Sequence, residues 1–117
     1  MALENNKDAL DNFQQAAYKN PGEAVYWATL AIFYYNTGNY TDAFENIIKA
    51  TTLNPQMQEV WYNLGILYEK CRQPEEALIA YANVLELDSD DNDSQKRIIA
   101  IKSPYYQHEM QKTAHVT

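Results

Sequence analysis

The fold is decided by residues 60–81, which read VWYNLGILYEKCRQPEEALIAY. In the first half, apolar and small residues recur at i, i+3, i+4 and i+7, on one face of a helix: Trp61, Leu64, Gly65 and Tyr68. In the second half Ala77 and Tyr81 are four residues apart, and Pro74 suits the first turn of a helix. The stretch therefore predicts two short amphipathic helices joined by a tight turn.

The same pattern occurs 34 residues earlier in the chain. Each of the key residues has an equivalent there: Trp27 for Trp61, Leu30 for Leu64, Ala31 for Gly65, Tyr34 for Tyr68 and Ala43 for Ala77. Because a 34-residue period with these residues at these offsets is typical of the tetratricopeptide repeat (TPR), the chain resembles TPR proteins. The resemblance implies an all-α fold, a TPR α-solenoid built from antiparallel helix pairs.

Aligned on this period, the chain divides into two complete repeats flanked by a half repeat and a capping helix. The predicted segments are the second half of a truncated repeat at 1–22, repeats at 23–56 and 57–90, a capping helix at 91–103 and a tail at 104–117. The first half of the truncated repeat would precede Met1, so we expect a fragment of a longer array. Gln95 occupies the Trp position, which favours a cap over a third repeat. The tail is either a short helix with Ser103 as N-cap and Pro104 at N1, or loose.

Composition excludes several classes of protein. The 117 residues carry a net charge of −7, with a pI of about 4.6, which is the wrong sign for direct nucleic-acid binding. A single cysteine, Cys71, allows no intrachain disulfide and suits a reducing compartment. The chain has neither a long apolar run nor a signal-peptide start. We therefore expect an intracellular protein that does not bind a membrane.

The sequence lacks a recognisable catalytic or metal site, so we expect a protein that is not an enzyme and needs no cofactor. Three residues hold the first ligand places of a calcium loop: Asp88, Asp90 and Asn92. Asp93 and Ile99 replace the glycine and glutamate that such a loop needs. The run is better interpreted as an acidic turn that caps the next helix. Cys71 has no nearby histidine and is interpreted as an incidental thiol.

In stacked repeats the first helix of each pair lines a concave face. Side chains at the groove positions of these helices are the candidate partner-binding residues: Ile32, Tyr35, Asn36, Tyr62, Asn63, Ile66, Lys96 and Arg97. The apolar members would anchor a partner peptide or helix, Asn63 would hydrogen-bond its backbone, and Lys96 or Arg97 would meet an acidic end. The alternative is that several of these side chains pack sideways into the first helices of neighbouring pairs.

The run from Glu59 to Ala77 is also similar to late repeats of the TPR corepressor that partners Tup-type WD40 repressors, and to the TPR region of related JmjC histone demethylases. This resemblance implies a nuclear corepressor scaffold, with a cytoplasmic scaffold as the alternative. Other TPR proteins clamp chaperone carboxylates with Lys and Asn side chains. Ala28 and Ile32 stand at the first two clamp positions, which argues against that role.

A different class of function would use the first helix. If this helix lacks its usual partner, Leu3, Leu10 and Phe13 would be exposed and could dock on another copy or on upstream repeats. The sequence thus predicts a protein-binding scaffold, with a self-assembly module as the alternative.

Overall fold

A computed structural model describes residues 2–106 and 108–109, with side chains from Lys7 onward. Its helices are α1 (Ala2–Lys19), α2 (Ala24–Asn36), α3 (Tyr40–Leu53), α4 (Gln58–Lys70), α5 (Pro74–Leu87) and α6 (Asn92–Lys102). A further helical turn follows at 104–106, and the described residues form no strand. The predicted all-α class is confirmed. Among the described residues, no helix is both long and apolar enough to cross a lipid bilayer.

Local sequence explains where these helices begin and end. The α2–α3 turn contains Gly38 at φ 83°, a left-handed conformation that glycine adopts without strain. The equivalent position in the α4–α5 turn is Arg72, which adopts φ 61°. Pro74 opens α5, as predicted. The Asp91 carboxylate accepts a hydrogen bond from the Ser94 N–H at 2.9 Å, so the acidic turn caps α6, as predicted.

The chain forms two compact units, Met1–Val60 and Trp61–Thr117. In the first unit α2 packs on both α1 and α3. The Phe13 and Phe33 rings lie 6.4 Å apart, and Gln14 Nε2 donates to the Tyr34 hydroxyl at 2.8 Å. The expectation that the first helix exposes Phe13 is therefore wrong, because α2 partly buries this ring and Leu10 is also half-buried. The Leu3 side chain lies outside the described side chains.

The second unit is organised around a buried cluster from α5 and α6. Its centre is Ala77, Tyr81 and Ile101, and the half-buried side chains packed around it are Tyr62, Ile66, Tyr68, Leu78, Ile98 and Tyr106. Gly65 on α4 leaves room for the Tyr81 ring, since an added Cβ would lie 2.5 Å from Tyr81 Cε1. The small residue at this repeat position thus makes space for the largest fully buried side chain of the chain's described part.

The turn after α6 brings Tyr106 back onto this cluster. Ser103 Oγ accepts a hydrogen bond from the Tyr106 N–H at 3.2 Å, which is the geometry of an N-cap, with Pro104 at N1. Of the two tail predictions, the described residues match the short helix. Residues 107 and 110–117 lie outside the described residues, so the tail prediction is untested there.

Candidate functional site

The predicted partner-binding residues are on α2 in the first unit, and on α4 and α6 in the second. Their role in binding stays a prediction, and the structure shows how accessible each side chain is and what already contacts it.

On α2, two of the three predicted residues are free to contact a partner. Ile32 is 46% exposed, which is a large apolar exposure for a helix of a folded unit, and Asn36 is exposed as well. Tyr35 is half-buried, and its ring lies 5.8 Å from that of Tyr40 at the start of α3. The α2 surface therefore offers one apolar and one amide side chain, with an aromatic ring partly used for packing.

On α4, the predicted residues Tyr62, Asn63 and Ile66 are all half-buried. The rings of Tyr62 and Tyr81 lie 5.6 Å apart, and Ile66 packs on the same cluster. Tyr62 and Ile66 are four residues apart, so they share a helix face and keep their outer edges open together. Within this unit, Tyr62 and Ile66 are thus partly used for packing and partly open at the surface.

Beside this face lies a cavity of about 400 Å³, within the second unit. Its lining comes from α4, α6 and the turn after α6: Ile66, Glu69, Lys70, Arg97 and Tyr106. Ile66 and Tyr106 supply an apolar wall, and the other three side chains supply charge. A mixed lining of this kind can hold one side chain of a ligand and contact its polar groups.

The charged part of the lining is an internal network centred on Glu69, whose side chain is only 11% exposed. Its carboxylate accepts a hydrogen bond from the Tyr81 hydroxyl at 2.6 Å and another from Arg97 Nε at 2.9 Å. Arg97 Nη2 donates to the second carboxylate oxygen, so the ion pair is bidentate. The hydrogen bond to Glu69 raises the pKa of Arg97, although burial lowers it.

This network changes the interpretation of the two predicted basic residues. Arg97 lines the cavity, but Glu69 already holds its guanidinium, so a partner carboxylate would have to compete with an internal one. Lys96 is exposed and does not line the cavity. Burial raises the pKa of Tyr81, and the hydrogen bond to Glu69 adds to this effect, so Tyr81 acts as a neutral donor.

Tyr62 and Tyr106, which are both half-buried, each have acidic and basic groups nearby. Burial raises the pKa of Tyr62, and the negative charge of Asp93 raises it further. Burial also raises the pKa of Tyr106, and so does the negative charge of Glu69, whereas the positive charges of Arg97 and Arg72 lower it. Apart from the paired Glu69 and Arg97, the charges that act on Tyr62 are those of the acidic Asp93 and Asp91, and the charge that acts on Tyr106 is that of the basic Arg72.

The sequence predicted two residues that line this cavity, Ile66 and Arg97, but two other features of the cavity were missed. One is Tyr106, because the distance between a tail residue and α4 cannot be read from a repeat alignment. The other is the pairing of Arg97 with Glu69, which are 28 residues apart in the chain. The period of the repeat gives a weak signal for this pairing, since both side chains occupy groove positions.

The remaining candidates are Cys71 and the possible metal ligands. Burial raises the pKa of the half-buried Cys71 thiol, which keeps it in the poorly nucleophilic protonated form. No cluster of three or more His, Cys, Asp or Glu side chains suited to a metal ion occurs in the described part of the chain.

Two models of the tetratricopeptide repeat match the chain, at residues 24–57 and 59–91. Together they cover more than half of the 117 residues. No curated protein sequence matches the chain. A crystal structure of MamA is 18% identical, with a TM-score of 0.79, and the match covers 92% of this chain and 63% of the MamA chain. The present chain thus spans less than two thirds of MamA.

Two solved TPR domains are also similar. The first TPR of Spaghetti (RPAP3), bound to the HSP90 peptide SRMEEVD, has a TM-score of 0.77 at 20% identity, over 86% of this chain and 79% of that one. The Arabidopsis OM64 TPR domain has a TM-score of 0.77 at 15% identity, over 85% and 82%. At these identities the similarity shows the fold, a helical solenoid of TPR type.

Proposed function

Because the chain belongs to the tetratricopeptide repeat family, we propose that it is a non-catalytic scaffold whose α4 surface binds a segment of a partner protein. The observation that carries the proposal is the 400 Å³ cavity beside the open edges of Tyr62 and Ile66. Partly exposed apolar side chains next to a cavity with polar walls fit the recognition of a peptide or helix. Ile32, Tyr35 and Asn36 on α2 are proposed to add contacts of their own.

The comparison with a peptide-bound neighbour supports the general mode of binding. The first TPR of Spaghetti (RPAP3) is bound to an HSP90 peptide, so this fold can present a surface to a peptide. For the present chain we do not extend the proposal to that peptide. Ala28 and Ile32 take the first clamp positions, and Arg97 is already held by Glu69.

A narrower proposal concerns the cellular role. The run from Glu59 to Ala77 resembles a TPR corepressor, which would make the partner a transcriptional repressor and the location nuclear. This role depends on that run alone, since the matched repeats and structures support only the TPR fold and protein binding. The identity of the partner, once captured, decides between a corepressor and a scaffold of another kind.

Self-assembly through the first helix is the weaker alternative. Its premise was an apolar face left open on α1, whereas Phe13 packs against Phe33 and Leu10 is half-buried. A dimer that dissociates when Phe13 is changed to Asp, without loss of helicity, would restore this alternative. Light scattering combined with circular dichroism makes that comparison.

The experiment that tests partner binding compares the wild type with a variant carrying Tyr62→Ala, Asn63→Ala and Ile66→Ala. Proteins are captured from nuclear and cytosolic extracts, and each recovered binder is then purified and titrated against both forms by calorimetry. Because Tyr62 and Ile66 also pack on the core, Leu78→Ala is the matched control, since Leu78 packs on the same cluster without lining the cavity. We expect binding to be lost in the triple variant and kept in the control. A binder with equal affinity for the wild type and the triple variant would overturn the proposal.

A further inference from the structure

One end of the α4 surface carries positive charges that form no ion pair with any residue the structure describes. The Glu69 carboxylate neutralises Arg97, but no described carboxylate lies within ion-pair distance of Lys70 or Arg72. Lys70 lines the cavity, and the charge of Arg72 lowers the pKa of Tyr106, which lines the same cavity. In a chain with a net charge of −7, this end of the cavity is therefore locally basic.

The other end of the same surface is acidic. Asp93 is exposed at the start of α6, and among the nearby charges it has the largest effect on Tyr62. Asp91 acts on Tyr62 in the same direction, although its carboxylate also caps α6. Arg97 acts in the opposite direction, but Glu69 neutralises its charge.

The spacing of the two ends fixes the spacing of the charges that would complement them. Tyr62, Ile66 and Lys70 are successive i, i+4 positions on α4, so Tyr62 and Lys70 are about 12 Å apart along the helix axis. An extended peptide advances about 3.3 Å per residue, and alternate side chains point to the same side. Side chains four residues apart would therefore reach both ends together, with the side chain midway between them over Ile66.

We propose that this surface selects an extended segment that carries three recognised side chains at alternate positions. The first is basic, the second, two residues later, is apolar, and the third, another two residues later, is acidic. The basic group lies beside Asp93 and Tyr62, the apolar group contacts Ile66 and Tyr106, and the acidic group meets Lys70. The proposal rests on the proposed function, and it adds the charge pattern and the orientation of the ligand. An internal segment of a partner suffices, since no chain terminus takes part.

The test uses three fluorescein-labelled nine-residue peptides that differ only at the charged positions of a central core. The cores are Lys-Ser-Leu-Ser-Glu, Lys-Ser-Leu-Ser-Lys and Glu-Ser-Leu-Ser-Glu, and binding is followed by fluorescence anisotropy at low and at physiological salt. We expect the wild type to prefer the mixed-charge peptide by roughly 3- to 10-fold at low salt, since exposed ion pairs are individually weak. The preference should shrink as salt is added.

Charge-reversal variants make the test specific to the two ends. Lys70→Glu should transfer the preference to the peptide with two lysines, and Asp93→Lys should transfer it to the peptide with two glutamates. Lys102→Glu and Asp11→Lys are the matched controls, because they make the same changes in net charge at exposed sites outside the cavity. The controls should keep the preference of the wild type.

The outcomes separate this inference from the proposed function. Equal binding of the three peptides would overturn the proposed charge pattern. The same conclusion would follow if the control Lys102→Glu changed the peptide preference as much as Lys70→Glu does. Absence of binding by all three would overturn it as well. The proposed function would survive each of these results if the captured partner is still lost in the variant lacking Tyr62, Asn63 and Ile66.

Discussion

Substitution of Gly65 by alanine tests the packing that holds the second unit together. The added Cβ would lie 2.5 to 2.8 Å from three ring atoms of Tyr81, a separation at which atoms must move. Tyr81 is fully buried, and its hydroxyl is tied to Glu69 at 2.6 Å, so the ring has little freedom to turn away. We therefore expect the variant to be destabilised, although alanine is the better helix former.

The size of the effect follows from two opposing contributions. Overpacking a well-filled core costs about 1–3 kcal/mol. Replacing a glycine in a helix interior by alanine returns roughly 0.5–1 kcal/mol. The net loss in the free energy of unfolding is then about 1 kcal/mol, equivalent to a fall in Tm of roughly 3–6 °C for a domain of this size.

The assay is thermal and urea unfolding followed by circular dichroism. Gly22→Ala is the control, because an added Cβ there meets nothing within 4 Å and should leave Tm nearly unchanged. Repeat one carries buried Ala31 and Ile47 where repeat two carries Gly65 and Tyr81. The double variant Gly65→Ala, Tyr81→Ile should therefore lose less stability than the two single variants combined. An unchanged Tm in Gly65→Ala, or strict additivity in the double variant, would refute the reasoning.

Four further predictions concern a turn, a titration, a buried hydroxyl and a helix cap. Arg72→Gly should stabilise the protein by about 0.5–1 kcal/mol, as measured by urea unfolding. The reason is that residue 72 has a left-handed backbone conformation, which Gly38 adopts without strain in the other repeat. A loss of stability would contradict this prediction. Burial raises the pKa of Tyr81 above its ordinary 10.0, so its neutral form stabilises the fold below pH 10, and this contribution is lost as the pH rises toward the raised value. Urea midpoints between pH 9 and 11 should accordingly fall less steeply in Tyr81→Phe, and parallel slopes would count against the assignment. Ser94 Oγ is fully buried and has no hydrogen-bond partner within the described part of the chain, so Ser94→Ala should leave stability unchanged or raise it by about 0.5–1 kcal/mol. Asp91→Ala, which removes the cap itself, should cost about 1 kcal/mol in the same assay.

The sequence alone determined the helices and the repeat. Trp, Leu, a small residue and Tyr recur at helical spacing, and Pro21, Gly38, Pro55 and Pro74 mark where helices stop and start, so local chemistry was enough. Each repeat buries its face against adjacent segments, which is why a 34-residue period predicts a solenoid. The assignment of individual segments as domains stays a prediction.

Only the tertiary structure decided which surface side chains remain available. Arg97 looks like a free cation in the sequence, but the fold brings it to Glu69, 28 residues away, and their charges cancel inside the cavity wall. Tyr106 reaches the same cavity because the turn capped by Ser103 reverses the chain after α6. Helix periodicity is a local property, whereas pairing of side chains depends on distances between elements that no local pattern encodes.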